Sequence, residues 1–306
     1  MSDKKVNYIK HLFSLLLFGM NGTVASKISL SSYEIVFMRT LLGSLFMLAV
    51  FLISGKRLGN TDRRDLFFLT LSGVSMGISW MFLYEAFRHV GVGIASLLYY
   101  TGPVIIIALS TWLFGERLTP AKLVGFGAVL VGLILLNLNA FQERGTMWGV
   151  FCGVMSALTY ASMIIFNKKA KSIGGLKNAT LQMLISFLTV TVFIGVKQQF
   201  IFRIQPTDWL PILLIGILNT GVGCYLFFSS IGHLPVQTVA AFGYMEPLST
   251  ILFSILFLHE RLRGVQIVGA ILILGGAITA DVISNKLLRD APAAQTVADT
   301  QSSTEQ

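Results

Sequence analysis

The sequence predicts an all-α integral membrane protein of ten transmembrane helices, arranged as two inverted five-helix repeats. Three observations carry this. First, 54% of the 306 residues are hydrophobic and only 12% are charged, with a mean hydropathy of +0.75. Soluble domains carry about 25% charged residues, so this is the composition of a chain that faces lipid. Second, the chain repeats itself. Tyr84 to Asn137 lies without a gap over Phe228 to Asp281 at a shift of 144 residues, with 14 identities in 54 pairs. Pro103 meets Pro247, Tyr100 meets Tyr244, and Glu116-Arg117-Leu118 meets Glu260-Arg261-Leu262. Chance matching of Leu, Ile and Val does not bring a proline, an ionic pair and two glycines into one register. Third, Lys and Arg are distributed unevenly between alternate connections.

Ten apolar runs can be marked, at roughly 9–27, 32–54, 66–88, 91–114, 119–139, 146–167, 176–196, 208–231, 234–258 and 262–284. Each is close to the roughly 20 residues that a helix needs to cross the hydrocarbon core. None alternates in and out as a barrel strand would. The first run follows Lys4, Lys5 and Lys10 but leads to no clean small-residue cleavage site, so it reads as a retained helix. Thr119 then Pro120 reads as an N-cap followed by a first-turn proline. Gly73/Gly77 and Gly149/Gly153 have the spacing of close helix contacts. The five-helix repeats are expected over 9–139 and 146–284, and 285–306, polar and rich in Ala, Thr, Ser and Gln, as a disordered cytoplasmic tail.

With the N-terminus inside, the inner connections and ends hold 15 Lys and Arg and the outer ones 7, leaving out Arg39 within its span. That bias puts both termini in the cytoplasm of a cytoplasmic (inner) membrane, multi-pass protein. Five crossings per half is an odd number, so the second half must enter from the opposite side. Inverted repeats related by an axis in the membrane plane let one fold reach inward-open and outward-open states of similar energy. The net charge of +9 does not indicate a nucleic-acid partner, because the basic residues sit in short clusters between apolar runs.

The segment LLYYTGPVIIIALSTWLFGERLTPAKLVGFGAVLVGLILL and its second copy AAFGYMEPLSTILFSILFLHERLRGVQIVGAILILGGAI resemble the drug/metabolite transporter superfamily, specifically its EamA branch. Phe18-Gly19 followed by Lys27 and Arg39 fits the opening of the first copy, although the family usually has Trp where Phe18 stands. Gln182 stands about where the second copy would have its counterpart of Arg39. The resemblance covers about 9–284 and implies a ten-helix bundle with a central cavity that moves small metabolites, amino acids or amphipathic drugs, commonly outward.

Glu246 is the sharpest single residue. It sits mid-span beside Pro247, where the first copy has Gly102. A carboxylate at that depth is expected to face the bundle interior, as a ligand for a substrate amine, as a proton-coupling site, or as a protonated acid bonded to a neighbouring helix. Pro103 and Pro247 stand at equivalent mid-span positions and are expected to kink their helices and free a backbone acceptor, shaping the cavity or its gate. Trp80 and Tyr84 share a helix face, and Tyr99, Tyr100, Tyr160 and Tyr244 add rings with polar tips, suited to an amphipathic ligand. Asn219 is a further cavity candidate because Thr220-Gly221 follows it and opens the helix surface. Arg39 is expected to pair with Glu34 or Glu85, or to bind an acidic substrate group, and Glu85 is expected to pair with Arg88.

No Walker-type loop, HExxH, dinucleotide fingerprint or clustered His/Cys set occurs, and Cys152 and Cys224 both lie inside apolar runs. The expectation is therefore a non-enzymatic secondary transporter, without cofactor or metal, acting on a small-molecule substrate amid membrane lipid as a monomer or homodimer. Export, with proton coupling through Glu246, is the leading mode. An uncoupled uniporter or channel is the alternative.

Overall fold

The computed structural model describes residues 3–55, 61–115, 119–136, 146–197, 202–258 and 264–279. All the regular structure in these residues is helical. In chain order the helices are α1 (Asp3–Gly19), α2 (Asn21–Ala25), α3 (Ser32–Ile53), α4 (Arg63–Tyr99), α5 (Gly102–Phe114), α6 (Pro120–Leu136), α7 (Met147–Lys169) and α8 (Gly175–Lys197). A short 3₁₀ turn (Pro206–Asp208) then leads to α9 (Trp209–Leu213), a π-helical segment (Leu214–Val222), α10 (Gly223–Ile231), α11 (Val236–Gly243), α12 (Met245–Leu258) and α13 (Gly264–Ile278). The tail expected at 285–306 and the Glu-Arg-Leu corners at 116–118 and 260–262 lie outside the described residues.

Among the described residues, six helical stretches are long and apolar enough to cross a membrane: Ser32–Ile53, Arg63–Gly91, Ile94–Phe114, Met147–Lys169, Gly175–Lys197 and Pro206–Ile231. Pro120–Leu135 and Gly264–Gly276 are apolar but shorter. Helix starts follow local chemistry. Glu34 accepts the Ser31 amide at 2.7 Å at the head of α3, Asp62 accepts the Arg64 amide at α4, and Thr146 accepts the Gly149 amide at α7. Thr119 accepts the Lys122 amide with Pro120 in the first turn of α6, as its sequence predicts.

Pro103 stands mid-span, within the Ile94–Phe114 stretch, as its sequence predicts, and the structure adds where the helix is interrupted. The backbone already breaks at Tyr100 and Thr101, between α4 and α5, and Pro103 falls in the first turn of α5. The equivalent break lies at Tyr244, and Pro247 falls in the first turn of α12. A first-turn proline lacks an N–H that would have no intrahelical partner anyway, so each proline opens the second half-helix of a span interrupted just before it. The expected boundary between the third and fourth runs is present: α4 is two helices that meet at a kink at Gly91, whose φ of 75° and ψ of 161° are non-helical, and the spans on either side are Arg63–Gly91 and Ile94–Phe114.

The side chains are inverted relative to a water-soluble protein. Leu52, Val192, Val196 and Trp112 are exposed, whereas Arg39, Gln182, Asn167 and Asn219 are buried. This is a multi-pass arrangement in which lipid-facing surfaces are apolar and polar groups satisfy one another between helices.

Packing between the halves recurs at the repeat interval. α4 lies on α7, and the counterpart of α4, α10, lies on α1. α5 lies on α7, and α12 lies on α1. α6 packs against α13 through glycines: a Cβ on Gly132 would stand 2.6 Å from the Gly269 carbonyl, and one on Gly276 would stand 2.4 Å from the Gly125 carbonyl. Gly125 and Gly132 are the repeat equivalents of Gly269 and Gly276. The contact is therefore reciprocal, and its order makes the two equivalent helices antiparallel. Gly73 and Gly77 of α4 meet α8 as closely, and Gly149 and Gly153 of α7 meet α4.

Candidate functional site

A cavity of about 260 Å³ lies between the halves, walled by α1–α4, α7, α10 and α12. It reaches exposed Ser26 beside Ser32 and Phe87 at one end. Its lining includes Met163 and Phe228, both buried. Of the residues singled out by sequence, it gathers Trp80, Tyr84, Tyr99, Tyr100, Tyr160 and Glu246. Tyr99 is the hub of the ring cluster, with centroids 5.5 Å from Tyr100 and 5.1 Å from Tyr160 in tilted or edge-on contact.

Four expected residues stand behind the wall. Pro103 is buried and approaches the position a Gly243 Cβ would take. Pro247 is buried in the first turn of α12. Tyr244 is fully buried, and its hydroxyl has no hydrogen-bond partner among the described residues. Asn219 is fully buried and donates to Asn21 at 3.1 Å, and it is Asn21 that reaches the cavity.

The expected ion pairs are replaced by others. Arg39 pairs with neither Glu34 nor Glu85. Its Nε donates to Thr220 Oγ1 at 3.0 Å, its Nη1 donates to the Tyr84 hydroxyl at 3.1 Å, and its guanidinium lies 4.1 Å over the Trp80 ring. Glu34 is used up in capping α3. Glu85 approaches His89 Nε2 and accepts from Trp148 Nε1, both at 3.4 Å, rather than meeting Arg88. Both outcomes follow from helix crossing. Glu85 points toward α7, while Tyr84 and Phe87 on the same helix point into the cavity.

Arg39 thus belongs to the cavity wall, a position for which sequence reasoning gave it too little weight. The available signal was an arginine about 10 Å inside its span with no acidic residue three or four positions away. Met76, Met163, Phe227 and Phe228, which floor the cavity, carried no signal that separates them from ordinary core residues. The cavity therefore presents one guanidinium from the first half, one carboxyl from the second, and a largely aromatic and thioether surface between them. Charges at this depth cost about 2.5–3.5 kcal/mol each unless protein, water or a ligand receives them.

The model of the EamA-like transporter family matches the chain twice, over residues 8–138 and 147–280. The chain belongs to that family. An uncharacterized transporter of Bacillus subtilis (strain 168), YxxF, is 25% identical over 288 residues, covering 90% of this chain and 89% of that protein. A probable amino-acid metabolite efflux pump of Escherichia coli (strain K12) is 26% identical over 196 residues, covering 60% of this chain and 65% of the pump. A solved crystal structure of a protein superposes with a TM-score of 0.81 at 17% identity, covering 93% of this chain and 99% of that one, and so shares the fold. This EamA-like protein is a multi-pass membrane transporter and not an enzyme. Among the described residues no group of His, Cys, Asp and Glu could hold a metal ion.

Proposed function

We propose that this EamA-like protein exports small organic metabolites, such as amino acids, amines or amphipathic drugs, by alternating access. In this reading ten crossings form two inverted five-helix repeats in the cytoplasmic membrane, with both termini inside. The observation that carries it is the cavity itself. It is built from both halves, holds Glu246 on its wall, and is lined by residues that run from exposed Ser26 to buried Phe228. The antiparallel glycine contact of α6 and α13 supports the inversion. The two short helices α6 and α13, with α1–α2 and the broken span α11–α12, supply the four crossings beyond the six long ones. Two relatives named as probable amino-acid metabolite efflux pumps support the direction and the inclusion of amino acids.

Counterflow in proteoliposomes tests the carrier reading. Unlabelled substrate inside should accelerate uptake of labelled substrate, and a simple pore would show no such trans-stimulation. Glu246 tests the coupling. A carboxyl that exchanges its proton for substrate makes transport depend on pH, and an amide cannot do so. Glu246→Gln is expected to retain the fold and flatten the pH profile of transport. An unchanged rate with an unchanged profile removes Glu246 from the mechanism.

A further inference from the structure

We propose that Arg39 is the carboxylate-binding residue of the cavity, aimed by Thr220 of the π-helical segment, so that the transported molecule must carry a carboxylate. The proposal rests on the reading of the cavity as the substrate site and narrows it.

Arg39 is a buried cation whose partners are all neutral. It is 2% exposed and about two turns inside α3, so it does not reach the membrane surface. A guanidinium has five N–H donors in a planar fork. Two are taken, by Thr220 and Tyr84. Among the described residues no other acceptor is bonded to it, and no carboxylate lies within ion-pair distance. Trp80 covers one face of the fork. What remains is a donor edge on the wall of a cavity, the geometry that receives a carboxylate through two parallel hydrogen bonds. Glu246 stands on the same cavity wall from the other half, outside ion-pair distance, which leaves room between the two for a ligand rather than a closed pair.

The π-helical segment explains why the fork is held so firmly. Thr220 is fully buried and its hydroxyl donates to the Ile215 carbonyl five residues back, at 2.6 Å, which leaves its lone pairs for Arg39 Nε. The widened turn presents Asn219 to Asn21 and Thr220 to α3 together. The fit is tight, since a Cβ on Gly43 would meet Thr220 Cγ2 at 2.8 Å and one on Gly216 would meet Leu42 at 2.6 Å. A first-half charge is thus oriented by a second-half hydroxyl. A rearrangement of the halves would turn the guanidinium as it turned the cavity.

The test compares acids with their amides in purified full-length protein, by thermal stabilisation, using L-leucine against L-leucinamide, L-phenylalanine against L-phenylalaninamide, and 4-methylpentanoate as an acid without an amine. Each acid is expected to bind at least about tenfold more tightly than its amide, as loss of a charge-assisted bidentate pair requires. Arg39→Gln should weaken the acids to the level of the amides and leave the amides unchanged. Thr220→Val should reduce the acid-to-amide ratio several-fold, and Thr220→Ser should restore it. The Thr220 pair keeps the test informative if Arg39→Gln fails to fold. Equal binding of acids and amides by the unaltered protein overturns the proposal and leaves the transporter reading intact. Silence of every acid also overturns it, and counterflow with a panel of amines then decides whether the transporter reading falls too.

Discussion

Asn167 and Asn178 exchange two amide hydrogen bonds, of 3.0 and 2.9 Å, and Asn167 also donates to Gln182 at 3.3 Å. All three are buried, so α7 and α8 are joined by polar contacts where water cannot substitute. Removing one member leaves its partners with unmet donors and acceptors. Asn178→Ala is expected to lower stability by about 1–2 kcal/mol, read as a lower melting temperature in detergent, while Asn178→Gln should recover part of the loss. Gln182 stood out in the sequence as a polar residue within a span, about where the counterpart of Arg39 would be, but its partners depended on how α7 and α8 cross. The same limit applied to Arg39. Its depth was legible, but its choice of Thr220 over a carboxylate was set by a π-helical turn that no periodicity announces. Glu246 was legible for a different reason. The second copy of a repeat offered Gly102 as a control at the same position, and a charge against a glycine is a visible asymmetry.

Helix crossings follow the small residues. The α6–α13 contact has no room for side chains at Gly132 and Gly276, whereas a Cβ on Gly127 of the same α6 would meet nothing within 4 Å. Gly276→Val is therefore expected to push the two helices apart and cost about 1–3 kcal/mol, seen as lower yield and a lower melting temperature. Gly127→Ala should be neutral or slightly stabilising, by up to about 1 kcal/mol, because it adds helix propensity without a clash. Equal tolerance of both substitutions would mean that the crossing is not set by these glycines. The repeat alignment brings Gly125, Gly132, Gly269 and Gly276 into register without any structure. The two prolines align as well, but the sequence shows only a proline inside an apolar run and not the break before it. Thr101 Oγ1 donates to the Leu98 carbonyl at 2.6 Å and the Tyr100 amide to the Ser96 carbonyl at 2.9 Å, so the end of α4 is satisfied locally before Pro103 is reached.

At the scale of the molecule, the cavity reaches Ser26 and Phe87 at one end, and beyond its floor the chain is fastened. Lys168, at the end of α7, donates to the carbonyls of Ile231 at 2.9 Å and Leu234 at 2.5 Å, where α10 turns into α11. Lys122 of α6 donates to Gln237 of α11, whose amide in turn donates to Ser110 of α5 at 3.0 Å. Two lysines thus hold one corner from two sides, one of them across the halves. Under the alternating access proposed above, this corner would separate while the Ser26 end closes. A ligand or a substitution can move that equilibrium only by what it gains or loses differently in the two states. The Lys168 bonds are charge-assisted and belong to the state sealed at this end, so their loss is expected to cost it about 1.5 kcal/mol and to shift the populations about tenfold toward opening. Spin labels on Lys171→Cys and His233→Cys, both exposed here, report the separation directly once Cys152 and Cys224 are replaced by serine. Pulsed distance measurements should show a longer-distance population that grows when Lys168→Met is added, and an acid that binds the sealed state should reverse it. A distance distribution that Lys168→Met leaves unchanged would mean that this corner is permanent scaffold and that the opening lies elsewhere.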